Sequence, residues 1–135
     1  MKKVTLTALI LLSSIFAFTQ EEKTDSKEPY YFSIHQLTIL NWDYDTNEFV
    51  QKNAFDIEGV IKLSYSGKVI TVMNGEKRWK IYLTFIETTK DGVAVYKGVY
   101  ANGSGEVDMY INFEHKEIRF MESESDKMTL FVYSY

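Results

Sequence analysis

The chain contains no cysteine, one proline and seven glycines. Without thiols it forms no disulfide and no thiolate metal site, so its stability must come from an ordinary apolar core. The lipid-bearing cysteine of a bacterial lipoprotein is excluded for the same reason. Pro29 precedes the first apolar stretch, so no ladder hydrogen bond is lost to it. Basic charge is scarce and scattered: 15 Lys and Arg against 19 Asp and Glu give a net charge of −4 at pH 7. No lysine or arginine cluster offers a surface that could track phosphates, and nucleic acid is not an expected partner. No internal repeat or low-complexity tract is present, and no helical period follows the first twenty residues.

The N-terminus reads as an address. Met1-Lys2-Lys3 is followed by an apolar run through Val4 to Leu12, then by Ser13-Ser14-Ile15-Phe16-Ala17-Phe18-Thr19. A basic start, a short apolar segment and small residues before a polar stretch are the three parts of a secretory leader. The apolar run is roughly 15 residues, short of the ~20 that a spanning helix needs. Residues 1–19 are therefore expected to be a signal peptide, cut after Ala17 or Thr19, and the mature chain to be exported to periplasm or exterior. A polar tether is expected over 20–29 and a single all-β domain over 30–135. Loss of Lys2 and Lys3 leaves 13 basic residues against 19 acidic ones, a mature net charge of −6, which favours solubility.

From Tyr30 onward the dominant residues are Tyr, Phe, Val, Ile and Thr, punctuated by Ser66-Gly67, Asn74-Gly75, Asp91-Gly92 and Asn102-Gly103. Asn-Gly and Asp-Gly accept the positive φ angles of tight hairpins, so these pairs mark chain reversals. Trp79, Ile81, Leu83 and Phe85 alternate with Arg78, Lys80, Tyr82 and Thr84. Val107, Met109, Ile111 and Phe113 alternate with Glu106, Asp108, Tyr110 and Asn112. Ile57, Ile61, Leu63 and Tyr65 form a third apolar face that includes Gly59. A period of two is the mark of a half-buried antiparallel strand. Eight or nine strands are expected, near 31–41, 47–52, 56–65, 68–74, 78–88, 93–100, 106–113, 116–122 and 128–134. Consecutive strands joined by tight turns lie side by side, and closing such a meander hides its edges. The predicted fold is a small antiparallel barrel of about eight strands, with a two-sheet β-sandwich as the alternative. In size and strand count alone it resembles lipocalin-like barrels; their Gly-x-Trp motif is absent and no family is assigned.

The final segment, Met128 to Tyr135, puts Phe131, Tyr133 and Tyr135 on one face, and resembles the terminal strand of outer-membrane β-barrels. Length opposes that alternative. Eight strands of 9–11 residues would consume roughly 80 of about 105 residues and leave little for loops.

No motif specifies catalysis or a metal. Asp43-Tyr44-Asp45-Thr46-Asn47 spaces oxygen ligands as calcium loops do, but Glu48 stands where that pattern wants glycine and Ala54 where it wants glutamate. A polar hairpin turn is the simpler reading. His35 and His115 are the two histidines, with no partner evident for a zinc site. No serine sits in a Gly-x-Ser-x-Gly elbow. Glu106 and Asp108 share the wet face of one strand, a commonplace arrangement, and Gly103-Ser104-Gly105 reads as a turn. Catalytic residues, metal ligands and cofactors are thus not expected, and the domain is read as a non-enzyme. Aromatics are its abundant resource: ten Tyr, nine Phe and two Trp. Trp42, Trp79, Tyr96 and Tyr100 are the candidates for lining a ligand cavity, with Gly98 leaving room between the last two. The function expected is binding of a small apolar ligand or a partner protein. An interaction domain with a filled core is the alternative, and a small membrane barrel a further one.

Overall fold

A computed structural model describes residues 28–135. The expected leader over 1–19 and most of the tether lie outside the described residues. Eight antiparallel strands follow one another: β1 (Tyr30–Asp43), β2 (Glu48–Leu63), β3 (Val69–Asn74), β4 (Lys77–Thr88), β5 (Val93–Tyr100), β6 (Glu106–Asn112), β7 (Glu117–Glu124) and β8 (Lys127–Ser134). Each pairs with its successor, and β8 returns to β1 through Gln36↔Ser134 to Asn41↔Thr129, so the sheet closes into a barrel. That seam disposes of the sandwich alternative, because one continuous ladder surrounds a single interior.

The segments expected separately at 47–52 and 56–65 are one strand of 16 residues, β2. Its period breaks because the β1–β2 register shifts twice, between Ile34 and Gln36 and between Ile39 and Leu40, each time with an extra residue on β2. Such bulges bend and twist a strand, which helps a sheet curl onto itself. A third shift inserts Ile86 into β4. Turns fall where Ser66-Gly67, Asn74-Gly75, Asp91-Gly92 and Asn102-Gly103 mark them, and another spans 113–116. Between Asn74 and Lys77, which pair across the hairpin, the two loop residues are Gly75 and Glu76. Gly75 takes φ 64°, at the first central position of the tight turn.

The apolar alternation points inward. Ile61, Ile70, Val72, Ile81, Met109, Ile111 and Ile118 are fully buried in one cluster with Phe32, Ile34 and Tyr133. Each contributes roughly 1.5–3 kcal/mol by leaving water. Phe131 and Tyr135 also turn in against that cluster, so the terminal aromatic run completes the interior. The outer wall is charged at mid-strand. Lys62 and Lys80 flank Thr71 in register, and Thr71 is only 7% exposed. Lys97 pairs with Asp108 at 2.7 Å and Arg119 with Glu117 at 2.6 Å.

The barrel has two unlike ends. One carries the loops over 64–68, 89–92 and 113–116 together with Tyr30 and Tyr135. The other carries the loops over 44–47, 75–76, 101–105 and 125–126. At the second end β1 and β2 run on as a long hairpin, since β3 pairs only with Gly59 to Leu63.

Candidate functional site

The four aromatic candidates are distributed among three places. Trp79 packs against the core from β4, near the second end, and Tyr100 lies on the same side, opposite Ile81. Tyr96 faces the first end, its ring edge-on to Phe85 at 5.4 Å. Trp42 rides on the projecting hairpin, edge-on to Phe49 at 5.0 Å and Tyr44 at 6.4 Å. Gly98 leaves no free room between Tyr96 and Tyr100. A Cβ there would lie 2.7 Å from Ile81 Cγ2, 3.1 Å from Val107 Cγ1 and 3.3 Å from Leu83 Cδ2. The missing side chain is the space these three already fill.

The other sequence candidates resolve into local structure. Asp43 Oδ1 accepts the backbone N–H of Asp45 at 2.8 Å and of Thr46 at 3.4 Å, while Asn47 takes φ 56°. That carboxylate organises a hairpin turn. His115 donates its backbone N–H to Asn112 Oδ1 at 3.1 Å within the β6–β7 turn. His35 is exposed on β1 where the register shifts. Asp108 faces Lys97 on the neighbouring strand rather than acting beside Glu106.

The first end shows what residue type alone concealed. Aromatics gather here: Phe85 lies on the inward row of β4 ahead of its bulge, and Tyr65, Phe113 and Tyr135 stand just past the ends of β2, β6 and β8. Tyr30 begins the inward row of β1, ahead of Phe32, whose ring meets Tyr135 at 4.7 Å. Phe32, Tyr96 and Tyr135 seal the mouth from below. Tyr30 (48% exposed), Tyr65 (54%), Phe85 (55%) and Phe113 (55%) form the exposed rim, with Tyr31 and Ile86 beside them. Burial, then the adjacent Tyr65 phenol, raises the Tyr30 hydroxyl; burial, then Tyr30, raises that of Tyr96. These phenols therefore converge over one opening.

At the second end lies a cleft of about 280 Å³. Glu122 and Glu124 of β7 form one side, Lys127 and Thr129 of β8 continue it, and Asn41 and Lys52 close it from the hairpin. Ile39 and Phe131 supply its apolar floor. The Tyr100 hydroxyl donates a short hydrogen bond to Glu122 Oε2, and Thr129 donates to Asn41 Oδ1 at 3.4 Å. The acidic residues continue the inward row of Ile118 and Phe120, a break in alternation visible in the sequence.

Burial also governs the tyrosines of the interior. Tyr133 and Tyr135 are pushed up to about 12 from an ordinary 10.0, and Tyr100 is raised as well, first by burial and then by Glu122. A phenol whose folded value exceeds its unfolded value stabilises the fold fully below pH 10, and that contribution is lost as pH climbs through about 12. Tyr133, only 3% exposed, should account for about 2 kcal/mol of the alkaline loss. In a pH-jump experiment, part of the tyrosinate absorbance should appear only at the unfolding rate. Instant ionisation of all ten phenols would refute the burial of Tyr133.

No protein-family model, curated protein or solved structure matches the chain.

Proposed function

We propose that this barrel is an exported, non-enzymatic binding domain that engages a partner protein through the aromatic rim of its first end, its interior being a structural core. One observation carries this reading. Among the described residues, eleven large apolar side chains are exposed, and six of them (Tyr30, Tyr31, Tyr65, Phe85, Ile86 and Phe113) gather on that end. Concentrated exposed aromatics characterise interaction surfaces, because Tyr and Phe give large contact area at small entropic cost. The filled space around Gly98 and the fully buried central side chains speak against a small apolar ligand inside. The charges at mid-wall, Lys62, Lys80, Lys97 and Asp108, speak against a lipid-facing exterior, where each would be costly.

A photo-crosslinking residue placed at Phe85 or Phe113, in cells that produce the chain, should yield a discrete protein adduct. The same residue at Lys80 or Thr84 on the wall should not. Equal labelling from rim and wall, or none from the rim, would remove the basis for this site. Native mass spectrometry of the purified chain supplies the complementary test. A co-purified apolar molecule would restore the internal-ligand reading, and dependence on detergent for solubility would restore the membrane barrel.

A further inference from the structure

The cleft at the second end combines both signs of charge in a way the fold does not require. Ion pairs among the described residues join Lys97 to Asp108 and Arg119 to Glu117; none engages Lys52, Glu124 or Lys127, all of which line the cleft. Glu122 is held in place by Tyr100 through one oxygen, which leaves the other available.

Lys127 lies beside Glu124, whereas Lys52 stands across the cleft from both acids. Glu122 and Glu124 stand two apart on β7, with Thr129 and Lys127 directly across on β8. Asn41 follows on β1, opposite Thr129. Lys52 is the extra residue of the second β2 bulge, since Ile39 pairs with Asn53 but Leu40 with Gln51. Bulges re-aim side chains, and this one sends Lys52 to the cleft. The acids and Lys52 thus bound opposite sides of a trough four strands wide, about 14 Å along a flat sheet and less across the curved barrel mouth.

We infer that this cleft binds a short peptide with free termini, its ammonium against Glu122 and Glu124 and its carboxylate against Lys52. An extended dipeptide covers about 7 Å, which the side-chain reach of Glu and Lys brings into contact at both ends. A simple anion would face two carboxylates, and a simple cation two lysines; a zwitterion of this length satisfies both sets. Asn41 and Thr129, on the strands between, offer hydrogen bonds to the central amide, and the Phe131 and Ile39 floor accepts small side chains.

The test uses the full chain with dialanine as probe, followed by amide chemical shifts and calorimetry. Dialanine should perturb Lys52, Glu122 and Thr129 saturably. N-acetyl-dialanine and dialanine amide should each bind about tenfold or more weakly, as loss of a charge-assisted contact implies. Glu124→Gln should weaken dialanine but leave the acetylated probe unaffected, and Lys52→Met should do the same for the amide. Both replaced side chains are exposed, so the variants should melt with the parent. Equal affinity for free and blocked dipeptides, shifts confined to the aromatic rim, or no saturable shift would each overturn the assignment.

Discussion

Replacing Ile111 with aspartate should abolish cooperative folding of the barrel. Ile111 is fully buried on β6, between Ala94 of β5 and Ile118 of β7. Its substitution removes an apolar side chain from a closed core and puts an unpaired carboxylate in its place. The first effect costs about 2–5 kcal/mol and the second several more. Their sum rivals the whole stability of a small domain, about 5–15 kcal/mol. Leu83→Asp should act likewise from β4. Tyr82 is the control: it is 53% exposed on the outer wall, between Val69 and Val99 in register. Tyr82→Asp removes cross-strand contacts worth about 1 kcal/mol or less. Thermal melts followed by circular dichroism should show a normal transition for Tyr82→Asp and none for Ile111→Asp. Similar melts for the two would mean that inside and outside are wrongly assigned. Asn112 is a poorer control than its outward position suggests, because its Oδ1 holds the β6–β7 turn and it faces Glu117.

The second large effect concerns Gly59. A Cβ at this position would lie 2.5 Å from the backbone oxygen of Met73 and 3.0 Å from Ile34 Cδ1. The Met73 oxygen belongs to the β2–β3 pairing, where Val60 faces Met73 and Gly59 faces Asn74; it moves only if the strands separate. Gly59→Ala should therefore cost about 2–3 kcal/mol. Gly98→Ala meets Ile81 Cγ2 at 2.7 Å and Val107 Cγ1 at 3.1 Å, methyls of stiff β-branched residues in the filled core, so about 1–3 kcal/mol is expected. Urea unfolding should show both midpoints lowered with the slope unchanged. A stabilising Gly98→Ala would reveal space inside the barrel and revive an internal ligand site.

What the sequence made legible was the part of the fold set by nearest neighbours. Alternation in β4 and β6 depends on one strand having a wet and a greasy side, and the glycine turns depend on backbone freedom alone. β2 is not legible as one strand because the period fails from Lys52 to Asp56, beside its bulges. Hydrogen bonds to β1 hold that stretch extended whatever its pattern. Ring type alone does not define a site: Tyr96 and Tyr100, on one face of one strand, look to opposite ends of the interior. The rim is written in the sequence as an aromatic near the first-end terminus of every second strand. The cleft was not, because Lys52 and Glu122 become neighbours only after β8 has paired with β1.

That same seam fixes how the molecule assembles. Seven of the eight strand pairings join consecutive strands and can form as local hairpins, with little chain to restrain. The eighth brings together Asn41 and Thr129, 88 positions apart, and has to wait until the ribbon between them has curled. Until then Phe131 and Tyr133 face water instead of the core, so the last contact to form is the one that turns a greasy open ribbon into a sealed vessel. A chain of this design is exposed to capture by its neighbours for as long as that final stitch is unmade.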